Sequence, residues 1–175
     1  MKTLASIQKT CSVFKVLAKI AMILSFIWAG TLLLGVLGGI VWQSGGNIVG
    51  VPVEYALKLT QTGAVLQMIG VLLGDFALVL TDGLLFFFAL RYFEQELADG
   101  TPFTASGAEQ IKNLGIKTIV MPIVAIIIAA VIHSCFGVER LGNWDNGTEI
   151  VLGIALILFS LILRHGAELR EACGI

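Results

Sequence analysis

Four long apolar runs, separated by polar stretches, set the pattern of this chain. The first, Ile20 to Trp42, holds 23 residues without a charge. As a helix it would rise roughly 34 Å, enough to cross a hydrocarbon layer of ~30 Å. The second, Val65 to Leu90, is apolar apart from Asp75, Asp82 and a few small or polar residues. The third, Thr118 to Phe136, contains Pro122, which is expected to bend it near its inner end. The fourth, Ile150 to Leu163, has only 14 residues. It reaches bilayer width if Gly147 to Glu149 continue the helix and Arg164 snorkels to the interface. The pattern predicts an all-α integral membrane protein with four transmembrane helices at about residues 20–42, 65–90, 118–136 and 148–163. Residues 1–175 then form a single membrane domain. The first run is too long for the apolar core of a cleaved signal peptide, about 7–15 residues, and reads as a retained span.

The polar stretches fix an orientation. Lys2, Lys9, Lys15 and Lys19 precede the first run, Arg91, Lys112 and Lys117 lie between the second and third, and Arg164 and Arg170 follow the fourth. These are nine of the eleven basic residues, and only Lys58 and Arg140 fall in the other two loops. Lysine and arginine collect on the cytoplasmic side. Both termini and the segment after the second run are therefore expected there, which an even number of spans requires. Within residues 1–19, Leu4, Ile7, Cys11, Phe14 and Ala18 recur at helical spacing, as in an amphipathic segment lying on an anionic leaflet. The alternative is a plain cytoplasmic entry to the first span. In the first outer loop Val51, Val53, Tyr55, Leu57 and Leu59 alternate, but Pro52 suits the first turn of an interfacial helix better than a lone strand. Asn146-Gly147 reads as a turn opening the fourth span.

Phe93 to Gly115 has a grammar of its own. Arg91 to Ala98 can continue the second helix. Asp99-Gly100 and Thr101-Pro102 then supply turn chemistry, and Phe103 stands out as a large apolar residue. Thr104 is placed to cap a new helix, and Ser106 to Glu109 fits a capping box as another start. The segment reads as an ordered cytoplasmic helix-turn-helix hairpin, with Pro102, Phe103, Thr104 and Glu109 as partner-contact candidates.

Gly-Thr-Pro-Phe-Thr at 100–104, Ile-Lys-Asn-Leu-Gly at 111–115 and His-Gly-Ala-Glu-Leu at 165–169 occur in that order around the spans. In these motifs the chain resembles a bacterial membrane family catalogued as domain of unknown function 2975, over about Val16 to Glu171. The resemblance implies four helices in the bacterial inner membrane with both ends on the cytoplasmic side, and a regulatory or signalling role. It implies no catalytic residues. Arg170 departs from the family pattern, where Gln is common.

Composition agrees with lipid as solvent. The chain is 57% hydrophobic and 13% charged, against about 45–50% and 25% in soluble domains. A net charge of -1 leaves no basic face for nucleic acid. Cys11, Cys135 and Cys173 are too scattered for a metal motif or a disulfide framework. There is no phosphate loop, no H-E-x-x-H and no G-x-S-x-G, so an enzyme, a metal and a cofactor are not expected.

Asp75 and Asp82 are the sharpest chemical feature. Seven residues apart, they lie nearly on one helix face. Each central Asp costs about 2.5–3.5 kcal/mol on the insertion scale, and each Leu, Ile, Phe or Val gains about 0.3–0.6. Sixteen such apolar residues between Val65 and Leu90 can offset the pair. Both carboxyls should then face protein or water. Ser25 lies near the depth of Asp82, Thr31 near that of Asp75, and Lys19 or Arg164 could reach toward Asp82. His133, about 5 Å from the outer end of its span, is expected to be too shallow for an easy direct bond to Asp75 unless the helices tilt. These residues are candidates for an ion-binding site or a structural polar contact. Gly35 and Gly39, and Gly70 and Gly74, form small-xxx-small pairs for close packing against a neighbouring helix or a second copy. The expectation is a small non-enzymatic membrane protein acting in regulation or signalling through a cytoplasmic regulator, a membrane-protein partner or a second copy of itself in a homo-oligomer. An ion- or proton-coupled transporter using Asp75 and Asp82, and a structural subunit of a larger complex, are the alternatives.

Overall fold

The computed structural model describes residues 2–43, 64–99, 105–138 and 147–173. They form four helices: α1 (Lys2–Gln43), α2 (Ala64–Asp99), α3 (Ala105–Cys135) and α4 (Gly147–Cys173). All four are long and apolar enough to cross a membrane, and no strand occurs among the described residues. The alternating Val51–Leu59 segment, the Asn146-Gly147 turn and the hairpin tip at 100–104 lie in part or wholly outside the described residues.

Every helix outruns its apolar run, and does so at the basic end. α1 starts well before Ile20, α2 continues past Leu90 to Asp99, α3 starts at Ala105, before Thr118, and α4 continues past Leu163 to Cys173. No Pro or Gly interrupts α1 between Lys2 and Ile20, so residues 2–19 extend the first apolar run as one helix instead of forming a separate one. α4 includes Gly147 to Glu149, which supplies the length its short run lacks. α3 passes through Pro122 without ending, and Pro122 itself is buried.

The packed faces follow a regular step. On α1 the buried or half-buried positions include Cys11, Lys15, Ala18, Met22, Ser25, Ala29, Leu32, Val36 and Gly39. On α3 they include Ala108, Ile111, Gly115, Thr118, Pro122, Ala125, Ala129 and His133, and on α4 Gly153, Leu156, Ser160, Leu163 and Ala167. Steps of three and four average near 3.5, the spacing of a seam between helices packed side by side. Most of these residues are small, which lets backbones approach closely, as is common where long apolar helices pack. Large apolar side chains lie outside instead: Leu34, Val151 and Ile162 are each at least 65% exposed.

The chain divides into two units. Residues 1–24, 82–123 and 145–175 make the first, and residues 25–81 and 124–144 the second. The first is centred on Tyr92, Ala108, Ile111 and Leu163, with Phe93 and Leu114 against them. There Gly115 of α3 meets Gly153 of α4: a Cβ on either would lie 2.9 Å from the other's carbonyl oxygen. The second is centred on Val36, Val65 and Ile69, flanked by Leu72, Leu73 and Phe136. Gly35 and Gly39 of α1 lie against Leu72 and Ile69 of α2, and Gly70 and Gly74 of α2 lie against Phe136 and His133. Both glycine pairs are thus covered by side chains of the same chain.

A glycine turn ends α3. Gly137 has φ +65, and the amides of Gly137 and Val138 donate to the carbonyls of Ser134 and His133 at 3.3 and 2.9 Å. This is a Schellman motif, which needs the left-handed conformation that glycine adopts without a steric penalty. Gln67 Nε2 adds a bond to the Gly137 carbonyl at 3.1 Å, fixing the turn to α2.

Candidate functional site

The extensions at the basic end carry most of the polar side chains, and in the first unit they pack on each other. Lys15 of α1 reaches Glu94 of α2 at 3.4 Å, and Phe14 stacks on Phe93 with ring centroids 5.8 Å apart. One turn of α2 joins the buried Tyr92 to the buried Glu96, whose carboxylate accepts a hydrogen bond from the Tyr92 hydroxyl. An i, i+4 step puts these two side chains on one face, so a buried acid has a neighbouring donor. The packed face of α1 here runs through Cys11, Lys15 and Ala18. Phe14 is exposed to 50%, so the face packed on the rest of the chain runs beside it, through the aliphatic stem of Lys15.

Between α2 and α3 this packing leaves a cleft of about 530 Å³. Phe88, Arg91, Tyr92 and Gln95 line it from α2, and Gln110, Asn113, Leu114 and Lys117 from α3, with Glu94 also on the wall. The α2 residues recur at steps of three and four, as do those of α3, so each helix turns one face to the cleft. Lys117 Nζ lies 3.6 Å from the centre of the Phe88 ring, and the Arg91 guanidinium carbon 5.5 Å from that of Phe87. Both are cation–π distances. Among the described residues neither cation makes an ion pair. Gln110 donates to Ser106 Oγ at 3.2 Å. The cleft therefore offers two cations and several carboxamides above an aromatic wall.

A smaller groove of about 290 Å³ lies in the same unit. Leu85, Phe86 and Ala89 of α2, Leu114 and Thr118 of α3, and Leu152 and Leu156 of α4 line it, and Asp82 is its one charged side chain. The Thr118 hydroxyl donates to the Leu114 carbonyl at 2.9 Å. Its donor is thereby turned to its own helix. Asp82 is half-buried.

Asp75 is half-buried in the second unit, two turns of α2 from Asp82. Ser25 lies on the packed face of α1. Thr31 is exposed, and its hydroxyl donates to the Trp28 carbonyl at 2.7 Å. His133 is buried with its ring against Gly74, the residue next to Asp75: a Cβ on Gly74 would lie 2.9 Å from His133 Cδ2. The His133 ring therefore lies at the level of the residue preceding Asp75. Arg164 pairs with Glu168 at 3.2 Å, four residues along α4. Glu109 is exposed on α3, while Pro102, Phe103 and Thr104 lie outside the described residues. No group of three or more metal-ligating side chains occurs among the described residues.

From the sequence, Arg91 and Lys117 are topology markers, Asn113 belongs to the Ile-Lys-Asn-Leu-Gly motif, and Gln95 and Gln110 have no expected role. The available signal was their phase. Positions 88, 91, 92 and 95 share a helix face, and so do 110, 113, 114 and 117. No family model matches the chain, and no curated protein or solved structure matches it. The resemblance to the family of unknown function 2975 rests on the three short motifs alone.

Proposed function

We propose that this chain is a multi-pass protein of the bacterial cytoplasmic membrane, with both termini inside, that acts in regulation or signalling by binding partner proteins and catalyses no reaction. The observation that carries this reading is the ordered polar layer at the basic end. Four helical extensions reach beyond the apolar runs, and α1 is tied to α2 there by Lys15–Glu94 and Phe14–Phe93. Residues used only to orient a helix need no such packing. The lysine and arginine asymmetry supports the cytoplasmic assignment of this end, and the three family-like motifs support the regulatory role.

Affinity co-purification from bacterial membranes tests the reading. The full chain is compared with a variant carrying Lys9→Ala, Glu109→Ala and Lys112→Ala, three exposed positions at this end. A protein retained by the wild type and lost from the variant supports the role of the surface. Identical sets of retained proteins count against it. Alkaline phosphatase fused after residue 60 should be active and after residue 100 inactive, and the reverse pattern would overturn the orientation.

A second reading, ion- or proton-coupled transport, is favoured by Asp82 alone on the wall of an apolar groove. It requires pH-dependent flux in liposomes that Asp82→Asn or Asp75→Asn abolishes while the protein still inserts. Wild-type liposomes without flux would dispose of it.

A further inference from the structure

The cleft between α2 and α3 has a chemistry that partner binding leaves unused. We propose that it binds the headgroup of an anionic phospholipid, an inference that rests on the membrane part of the reading above. Position is the first argument. Arg91 directly follows the second apolar run and Lys117 directly precedes the third. In a spanning chain both cations therefore stand at headgroup level. One turn below Lys117, Val120 is exposed and continues the apolar face an acyl chain would follow. Phe88 supplies the aromatic wall between the two levels.

Ligand chemistry is the second argument. The phosphodiester of a lipid carries a negative charge and oxygens that only accept hydrogen bonds. Arg91 offers a planar fork of donors, Lys117 an ammonium, and Gln95 and Asn113 neutral carboxamide donors. The single acid on the wall, Glu94, is engaged by Lys15 at 3.4 Å. Arg91 and Lys117 are held by aromatic faces, which orient a cation without cancelling its charge. The volume, about 530 Å³, falls in the range of small-molecule sites and exceeds the needs of a lone inorganic ion. Basic pockets between spanning helices on the cytoplasmic side are a known form of anionic-lipid site. A zwitterionic headgroup would bring its own cation against Arg91 and Lys117, so the cleft discriminates by charge.

The test uses the purified full chain in a neutral detergent. Its thermal midpoint is followed against short-chain phosphatidylglycerol, phosphatidylcholine with the same chains, and inorganic phosphate. Phosphatidylglycerol should raise the midpoint at concentrations where phosphatidylcholine does not. Arg91→Gln with Lys117→Gln should weaken the phosphatidylglycerol response roughly 30-fold, and Arg91→Gln alone about fivefold. Arg91→Lys with Lys117→Arg should keep it, as should Lys112→Gln, which removes an exposed charge outside the cleft. Arg91 is exposed, so the single variant reports even where the double variant unfolds. Equal responses to the two lipids, a double or single Gln variant that responds like wild type, or an equal loss in Lys112→Gln would overturn the site. Inorganic phosphate matching phosphatidylglycerol would make it a soluble-anion site and overturn the lipid assignment. A chain that stays in solution without detergent would sink the membrane reading itself. A chain that needs detergent but shows no lipid preference would sink the headgroup site alone.

Discussion

Where Gly115 of α3 meets Gly153 of α4, one methyl group should decide stability. A Cβ on Gly115 would lie 2.9 Å from the Gly153 carbonyl oxygen and 3.1 Å from the Ile157 amide nitrogen. Both are backbone atoms, so no rotamer change relieves the contact. Ordinary contacts begin at 3.4 Å, so the helices must part by the difference between 3.4 and 2.9 Å. Overpacking of this kind costs about 1–3 kcal/mol. Alanine recovers about 0.8–1.0 kcal/mol over glycine through helix propensity. Gly115→Ala should therefore be neutral to destabilising by about 2 kcal/mol. Gly30 is the control: a Cβ there meets nothing within 4 Å. Gly30→Ala keeps only the propensity gain and should stabilise by up to about 1 kcal/mol. The two variants should thus differ by about 1–3 kcal/mol. Unfolding of the purified protein in a mild detergent, titrated with sodium dodecyl sulfate and followed by tryptophan fluorescence, measures the difference. Equal midpoints for Gly115→Ala and Gly30→Ala would refute the close approach of α3 and α4.

Two further outcomes follow from the polar end of the first unit, and the same titration reads both. Lys15 and Glu94 are 37% and 45% exposed, so Lys15→Ala should cost no more than about 1 kcal/mol, and added salt should shrink the difference from wild type. A loss well above that would mean the pair carries more than a surface contact. Tyr92→Phe removes the hydroxyl that donates to buried Glu96 and should cost about 1–3 kcal/mol; an unchanged midpoint would contradict the buried hydrogen bond.

The four helices were legible because each carries a long apolar run with few charges. Which face of each helix packs was less legible, and α1 shows why. Hydrophobicity selects Phe14 over Lys15 as the residue between Cys11 and Ala18. The helix chose Lys15, because both sequences of steps fit a helical stripe and the phase is set farther along, at Ala29, Val36 and Gly39. In lipid an exposed phenylalanine costs nothing, so apolarity does not identify the packed face. Small residues do. The pairs Gly35 with Gly39 and Gly70 with Gly74 were readable for that reason, because each motif lies within one helix. Gly115 with Gly153 was not, because the two partners lie on different helices and neither sits in a short-spaced pair of its own.

The same blindness to phase explains the cleft. For orientation, Arg91, Lys112 and Lys117 count equally, since the rule sums charges on one side of a bilayer whatever direction they point. Helix geometry separates them. Arg91 lies three residues from Phe88 and four from Gln95, and Lys117 lies four from Asn113 and seven from Gln110. Each cation thus shares a face with the groups that line the cleft. Lys112 falls off that face and is exposed. Two residues with identical roles in the topology sum therefore differ in chemistry: one is solvated charge, the other is charge held beside an aromatic wall. A positive-inside count sums these charges alike. The phase of the helices that carry them singles out Arg91 and Lys117 as the two basic residues that line the cleft.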